Sequence, residues 1–258
     1  MQNKFIVTPY FLDHYSPDLE TLSQPGWKIN NPELTGETTQ QRMTAYQQPL
    51  ADFFASTLTN GERPVSIAGD CCTAIACLAG LQRARVDPTL LWLDAHGDFN
   101  TWEITPSGFL GGMPLAMLVG RGEQTLLEAV GLSPFPEAWV ILCDGRDLDP
   151  EEKQSLADSD VIHVANIHTL HNNPLLARPL YIHFDVDIIN PHDAPAMSYR
   201  TPGGPFAVEL RLIFRTLAEE RQIAAVSLSA WNPGLDTDGH SQAVCMELLN
   251  ILVNNSAQ

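Results

Sequence analysis

The sequence has few basic residues and no long hydrophobic run. It contains 14 Lys and Arg side chains against 31 Asp and Glu, which gives a formal net charge of −17 among 258 residues. Because so anionic a chain is repelled by phosphates, we expect neither a nucleic-acid partner nor binding to a membrane surface. No run approaches the roughly 18 apolar residues of a membrane-spanning helix, and charges and prolines interrupt the first 20 residues, where a signal peptide would be apolar. We therefore expect a soluble, cytoplasmic protein.

Cysteine is sparse and has no disulfide pattern. The five cysteines are Cys71, Cys72, Cys77, Cys143 and Cys245, and none of them forms a CxxC pair. An odd number in a chain of this length predicts reduced thiols in a reducing compartment. The last three of them are expected to be small buried residues of the core.

The composition is that of a folded protein with one large core. Hydrophobic residues make up 44% of the chain and charged residues 17%, which excludes global disorder. No internal repeat, low-complexity tract or linker divides the sequence. Because α/β proteins of roughly 200 to 250 residues often have a single core, we expect residues 1–258 to form one domain.

Short β-prone runs alternate with helical segments from Val65 onward, whereas the first 60 residues show no clear periodicity. The predicted strands are residues 65–68, 90–93, 139–143, 161–164, 181–186 and 223–228. The predicted helices are residues 73–85, 124–130, 151–158, 207–221 and 241–254. Apolar runs without strict alternation are typical of strands buried on both faces. The pattern therefore predicts an open, mainly parallel sheet with helices on both sides.

Aspartates lie at or near the ends of several predicted strands. Asp70, Asp94 and Asp144 directly follow apolar runs, and Asp185 and Asp187 lie inside or beside another. The carboxyl ends of the strands in an open parallel sheet face the crevice where ligands bind. A single aspartate in such a place is more often a turn residue or a helix cap, but the group as a whole indicates a site.

Two segments concentrate metal-ligand side chains. LLWLDAHGDFN places Asp94, His96 and Asp98 at alternate positions, and YIHFDVDIINP does the same with Asp185 and Asp187, so an extended backbone would point each set one way. Clustered carboxylates raise one another's pKa and destabilise a fold unless a cation compensates them. Oxygen ligands with one imidazole suit Mn²⁺, and a water shared by two such ions becomes a nucleophile near neutral pH. The pattern indicates metal-dependent hydrolysis.

These two segments resemble the DAHxD and DxD motifs of the ureohydrolase family, which comprises the arginases, agmatinases and formimidoylglutamases and binds two manganese ions. The resemblance extends from about Ser66 to Asn250. It implies a three-layer α/β/α arginase-type fold with a mainly parallel central sheet. It also implies a small-molecule substrate and a homo-oligomer, commonly a trimer or hexamer.

The resemblance further implies two metal-ligand sets that share Asp94 and Asp185. The first set is Cys71, Asp94, Asp98 and Asp185, and the second is Asp94, His96, Asp185 and Asp187.

Three residues fall where the resemblance implies contacts with the substrate. Asn100 and Ser107 lie in a stretch similar to the one with which arginases hold the amino-acid end of their substrate. Asp149, in the segment GRDLDP, is similar to an aspartate that faces the substrate α-amino group. On sequence grounds alone, Asn100 and Ser107 are ordinary loop residues.

The chain departs from the family at three positions that bear on the chemistry, and at Asn190, which replaces an aspartate in what is interpreted as a turn. Cys71 stands where the family has a metal-binding histidine; either its thiolate binds a softer ion such as Zn²⁺ or Fe²⁺, or it is a neutral thiol and the first site is weak or empty. Gly111 replaces the proton-shuttling histidine of the arginases. Ala230 replaces the glutamate that clamps the guanidinium, and losing such a bond costs about 1.5 to 3 kcal/mol. His183 is interpreted as either a packed core histidine or a substitute base.

The leading hypothesis is a metal-dependent hydrolase of a non-peptide C–N bond in a small linear amidine, guanidino or amide compound, distinct from a true arginase. The alternative is a metal-binding but catalytically silent homologue that acts as a scaffold or sensor. A third interpretation, a deacetylase-like enzyme with one metal, lacks the His pair beside a Gly-rich loop that would support it.

Overall fold

The structure is a computed structural model that describes residues 1–254. Within these residues the strands are β1 (Asn3–Thr8), β2 (Tyr10–Phe11), β3 (His14–Tyr15), β4 (Lys28–Ile29), β5 (Arg63–Ala68), β6 (Thr89–His96), β7 (Val140–Asp147), β8 (Ile162–Val164), β9 (Leu180–Asp185) and β10 (Ile223–Ser229). The α-helices are α1 (Pro17–Glu20), α2 (Thr39–Thr59), α3 (Thr73–Arg83), α4 (Pro114–Leu118), α5 (Thr125–Val130), α6 (Pro150–Ala157), α7 (Ala207–Glu220) and α8 (His240–Val253).

Eight of these strands form one sheet in the order β4-β1-β5-β10-β9-β6-β7-β8. Every neighbouring pair in it is parallel, while β2 and β3 form a separate antiparallel hairpin. Alternate residues of β6 serve opposite faces: Leu90 and Trp92 join the apolar cluster under α2, α3 and α5, and Leu91 and Leu93 join the cluster under α7 and α8. The predicted three-layer α/β/α fold with a mainly parallel sheet is confirmed.

The six predicted strands correspond in order to β5 through β10, and the five predicted helices to α3, α5, α6, α7 and α8. No helix in the described part of the chain is long and apolar enough to cross a membrane. That residues 1–258 form one domain stays a prediction, and residues 255–258 lie outside the described residues.

The sequence did not reveal α2, which has 21 residues. Its start carries a local signal, a capping box in which Thr38 and Gln41 exchange side-chain and backbone hydrogen bonds. Its middle contains Pro49, which cannot donate to the carbonyl of the preceding turn. Burial of Tyr46 and Phe54 in the core stabilises the helix in spite of that proline.

Candidate metal centre

The acidic residues meet where the neighbouring strands β6 and β9 end. Asp94 lies near the end of β6, and Asp185 is the last residue of β9. The backbone NH of His96 donates to Asp94 Oδ1 at 2.7 Å, and the NH of Asp187 donates to Asp185 Oδ1 at 2.8 Å. These local bonds bend the chain as each strand ends.

The expected extended backbone through both segments is therefore wrong in part. Asp187 lies in a 3-10 turn, Val186–Ile188, directly after β9. Asp98 lies beyond the end of β6 with a φ of 50°, in the left-handed region. The carboxylates still converge, because turns after adjacent strands open to the same edge of the sheet.

The predicted metal ligands lie within contact distance of one another. The Cys71 thiol donates to Asp185 Oδ2 at 2.8 Å, and His96 Nδ1 lies 2.8 Å from Asp187 Oδ2. In each of two groups, which share Asp94, the ligand atoms all lie within 4.8 Å of one another. They are Cys71, Asp94 and Asp98, and Asp94, His96 and Asp187. A third such group combines Cys71 and Asp185 with His183.

Burial and mutual repulsion make this cluster costly to ionise. Burial first, and then the charge of Asp187, raise the pKa of Asp94 to about 7. The pKa values of Asp98 and Asp185 are raised by the same two causes, burial and nearby carboxylates. Burial would lower the pKa of His96, but its hydrogen bonds to Asp187 and Asp94 raise it to about 12. These carboxylates therefore tend to stay protonated unless a cation binds among them.

The residues fit a divalent cation. Asp98 Oδ2 is buried without a hydrogen-bond partner, which leaves a carboxylate oxygen free to bind an ion. The other nearby metal-ligand atoms are carboxylate oxygens and the imidazole nitrogen of His96, which suit Mn²⁺. Cys71 is the exception, because burial and then Asp185 raise the pKa of its thiol far above the usual value. In this arrangement Cys71 is a neutral thiol.

The three predicted substrate residues line the same cavity of about 430 Å³ as the acidic cluster. Asn100 Nδ2 donates to Asp149 Oδ2 at 3.1 Å, while Asn100 Oδ1 is buried and has no partner. Asp149 also precedes α6 in a capping box with Glu152, so it has a structural task as well. Ser107 is exposed, and its hydroxyl accepts from the backbone NH of Phe109.

Two of the strand-end aspartates have structural partners. The Asp70 carboxylate accepts from the backbone NH groups of Leu12 and Cys72, at 2.7 and 2.8 Å. Asp144 pairs with Arg146, whose guanidinium also donates to backbone carbonyls. Hydrogen bonding explains both residues without a metal.

His183 is a packed core histidine. It is fully buried, its Nδ1 lies 2.8 Å from Ser227 Oγ, and its ring stacks on Trp92 with centroids 3.9 Å apart. Burial lowers its pKa to about 3, so the ring stays neutral at physiological pH.

The sequence missed several residues that line the cavity, among them Phe11, Phe109, Tyr199 and Glu152. Glu152 is buried, and its carboxylate accepts from the backbone NH of Phe99 at 2.8 Å. The segment DPEE, in which Glu152 closes a capping box, was a local signal that this carboxylate accepts hydrogen bonds from backbone NH groups. The three aromatic residues carry no such signal, because they come from separate segments of the chain: Phe11 from β2, and Phe109 and Tyr199 from two connecting segments.

The sequence profile of the Arginase family matches residues 27–253. An arginase of Schizosaccharomyces pombe is 29% identical over 271 residues, covering 95% of this chain and 81% of that protein. An arginase of Bacillus caldovelox is 29% identical over 260 residues, covering 93% and 85%.

Solved structures show the same fold. The crystal structure of arginase from Bacillus subtilis superposes with a TM-score of 0.82 at 24% identity, covering all of both chains. That of formimidoylglutamase from Bacillus subtilis gives a TM-score of 0.70 at 14% identity, covering 98% of this chain and 86% of that one. With these matches and the acidic cluster at the ends of β6 and β9, the chain belongs to the Arginase family, a family of hydrolases.

Proposed function

We propose that the protein is a metal-dependent hydrolase that cleaves a non-peptide C–N bond in a small linear amidine, guanidino or amide compound, and that it is not a true arginase. The observation that carries this proposal is the partnerless, buried Asp98 oxygen among carboxylates that line a cavity. A divalent cation removes the electrostatic cost of that arrangement. The cavity admits a small molecule to the same carboxylates.

We assign the metal ligands as two sets that hold one or two Mn²⁺ ions. The first is Cys71, Asp94, Asp98 and Asp185, and the second is Asp94, His96, Asp185 and Asp187. When bound, such ions lower the pKa of water to give a nucleophile near neutral pH and polarise the scissile group. The neutral Cys71 thiol must lose its proton to bind an ion, and as a thiolate it would favour Zn²⁺ or Fe²⁺.

We assign Asn100, Ser107 and Asp149 to the polar end of the substrate. Gly111 and Ala230 also line the cavity, where the resemblance places the shuttling histidine and the guanidinium-clamping glutamate of arginases. Neither residue has a group for those tasks. A guanidinium therefore lacks a charge-assisted hydrogen bond worth about 1.5 to 3 kcal/mol, and arginine is expected to be a poor substrate.

The test compares Asp185→Asn with Asp87→Asn, an exposed aspartate outside the cavity. Metal content is measured by elemental analysis of the purified proteins, and hydrolysis is screened on guanidino, formimino and amide compounds. The wild type and Asp87→Asn are expected to hold one or two metal ions per chain and to hydrolyse the same compounds. Asp185→Asn is expected to lose both metal and activity while keeping the far-ultraviolet circular dichroism of the wild type.

Three outcomes contradict parts of this proposal. Unchanged metal content in Asp185→Asn overturns the ligand assignment. A chain that holds metal but hydrolyses none of the compounds is the catalytically silent homologue, a scaffold or sensor. Release of urea from arginine at the rate of a normal arginase shows that Gly111 and Ala230 do not limit the activity.

A further inference from the structure

Three aromatic side chains that line the same cavity as the acidic cluster lie next to one another. We call Phe11, Phe109 and Tyr199 the aromatic wall. The ring centroids of Phe11 and Phe109 are 6.3 Å apart with planes 19° apart, and those of Phe109 and Tyr199 are 5.0 Å apart with planes 40° apart. Tyr199 is 49% exposed, and the two phenylalanines are partly exposed. Adjacent, partly exposed rings in a cavity are typical of an apolar ligand contact.

The fold holds the first ring of the aromatic wall in place. Phe11 belongs to the β2–β3 hairpin, which is tied to the end of β5 by two hydrogen bonds. The NH of Gly69 donates to the carbonyl of Tyr10 at 3.0 Å, and the NH of Leu12 donates to Asp70 Oδ2 at 2.7 Å. A side chain at Gly69 would put its Cβ 2.3 Å from the Tyr10 oxygen, so only glycine permits this approach.

The ring of Phe109 occupies the space that a side chain at residue 111 would need. A Cβ at Gly111 would lie 2.5 Å from both Cε1 and Cζ of Phe109. The backbone NH of Phe109 donates to the Ser107 hydroxyl at 3.2 Å, which helps to fix the turn that carries the ring. An apolar surface thus stands at residue 111 in place of a polar group.

The charges of the cavity restrict what can lie against the aromatic wall. The described residues that line the cavity include no Lys or Arg, and their charged groups are carboxylates and His96. A negatively charged tail would find no Lys or Arg side chain to pair with, and the exposed Asp147 would repel it. The three rings themselves present no charged group, so the part of the substrate that lies against them is uncharged and apolar.

We propose that the aromatic wall binds an aryl group of the substrate, so that the substrate class is the aryl-substituted amidines and guanidines; this inference rests on the hydrolase function proposed above. The C–N group lies at the acidic cluster, and the aryl group packs against the three rings of the aromatic wall. Offset or edge-to-face packing of aromatic rings favours such a ligand beyond the area that it buries.

The test measures binding of two amidines to the metal-loaded protein by isothermal titration calorimetry. Benzamidine carries the ring and acetamidine lacks it, while both carry the same amidine group. Benzamidine is expected to bind the wild type at least about tenfold more tightly. Phe109→Ala and Tyr199→Ala are each expected to weaken benzamidine about 3- to 10-fold and to leave acetamidine unchanged. Phe206→Ala, which removes an exposed ring outside the cavity, is the matched control.

A second variant tests the contact between residue 111 and the ring. Gly111→Ala should displace Phe109 and weaken benzamidine, but should have no further effect in the Phe109→Ala background. Equal affinity for benzamidine and acetamidine in the wild type, or equal weakening of both by Phe109→Ala, overturns the aromatic wall as a binding surface.

The two proposals fail separately in these experiments. Ring-dependent binding without hydrolysis of any amidine, guanidino or amide compound, aryl or aliphatic, leaves the aromatic wall standing and overturns the hydrolase function. Metal-dependent hydrolysis of aliphatic compounds without a preference for an aryl group leaves the hydrolase function standing and overturns the aromatic wall as a binding surface.

Discussion

Cys71 is the candidate ligand whose chemistry differs most from that of its neighbours. Its thiol is buried and donates to Asp185 Oδ2 at 2.8 Å, and it also lies 3.2 Å from Ser229 Oγ. Burial and the Asp185 charge keep its pKa high, so an ion must displace its proton before the sulfur can bind. A hard ion such as Mn²⁺ gains less from a thiolate than Zn²⁺ does. Residue 71 should therefore decide which metal the first site prefers.

Replacing Cys71 by His tests whether residue 71 determines the metal preference of the first site. Cys71→His is expected to raise the manganese-to-zinc ratio bound from an equimolar mixture by roughly tenfold, because imidazole carries no negative charge and needs no deprotonation at neutral pH. Elemental analysis after dialysis gives the ratio. Cys72→Ala is the control, because Cys72 is equally buried and belongs to none of the ligand groups. An unchanged ratio in Cys71→His would show that the sulfur is not a ligand.

The helix pair α2 and α3 shows how an element outside the site fixes it. Gln47 of α2 donates to the Cys72 carbonyl at 3.0 Å and accepts from the Ala76 NH at 3.1 Å. These bonds hold the first turn of α3, directly after Cys71. Farther along α3, Gly80 lies so close to α2 that a Cβ would be 2.3 Å from Phe54 Cβ and 2.7 Å from the Ala51 oxygen.

Gly80→Ala is therefore expected to destabilise the protein by about 1 to 3 kcal/mol. Overpacking against backbone atoms outweighs the gain of about 1 kcal/mol that alanine has over glycine within a helix. Urea unfolding of metal-free protein measures the difference. Gly112→Ala is the control, because a Cβ there meets no atom within 4 Å, and it should change stability by less than about 0.5 kcal/mol. A Gly80→Ala protein as stable as the wild type would show that the two helices can separate without cost.

Over the whole molecule, an excess of negative charge coincides with a buried carboxylate cluster. The formal net charge is −17, and Asp94, Asp98, Asp185 and Asp187 are all at most 5% exposed. Ionising these groups in the absence of a cation opposes folding. The proposed ligands follow β5, β6 and β9, so a cation bound by them would link these strands to the start of α3. The trimer or hexamer implied by the resemblance stays a prediction.

Metal binding should therefore stabilise the entire fold. Manganese at 100 times its Kd is expected to add about 2.7 kcal/mol to the free energy of unfolding. For a chain of this size, that corresponds to a rise in Tm of roughly 5 to 10 °C. Differential scanning calorimetry of chelator-treated protein, with and without added manganese, measures the rise. Asp185→Asn should show little or no rise, and an equal rise in both proteins would place the binding outside the acidic cluster.

The sequence by itself determined the central sheet strands β5 to β10, five helices and the identities of the candidate metal ligands. Strands that are buried on both faces can be recognised in the sequence as apolar runs. The candidate ligands can be recognised because their spacing in DAHGD and DVD spans only a few residues. Only the tertiary structure decided the course of the first 60 residues. There, the packing of Tyr46 and Phe54 supports a helix in spite of Pro49. It also decided that Phe11, Phe109 and Tyr199 meet, because contacts between distant segments depend on how the elements pack and leave no periodic pattern in the chain.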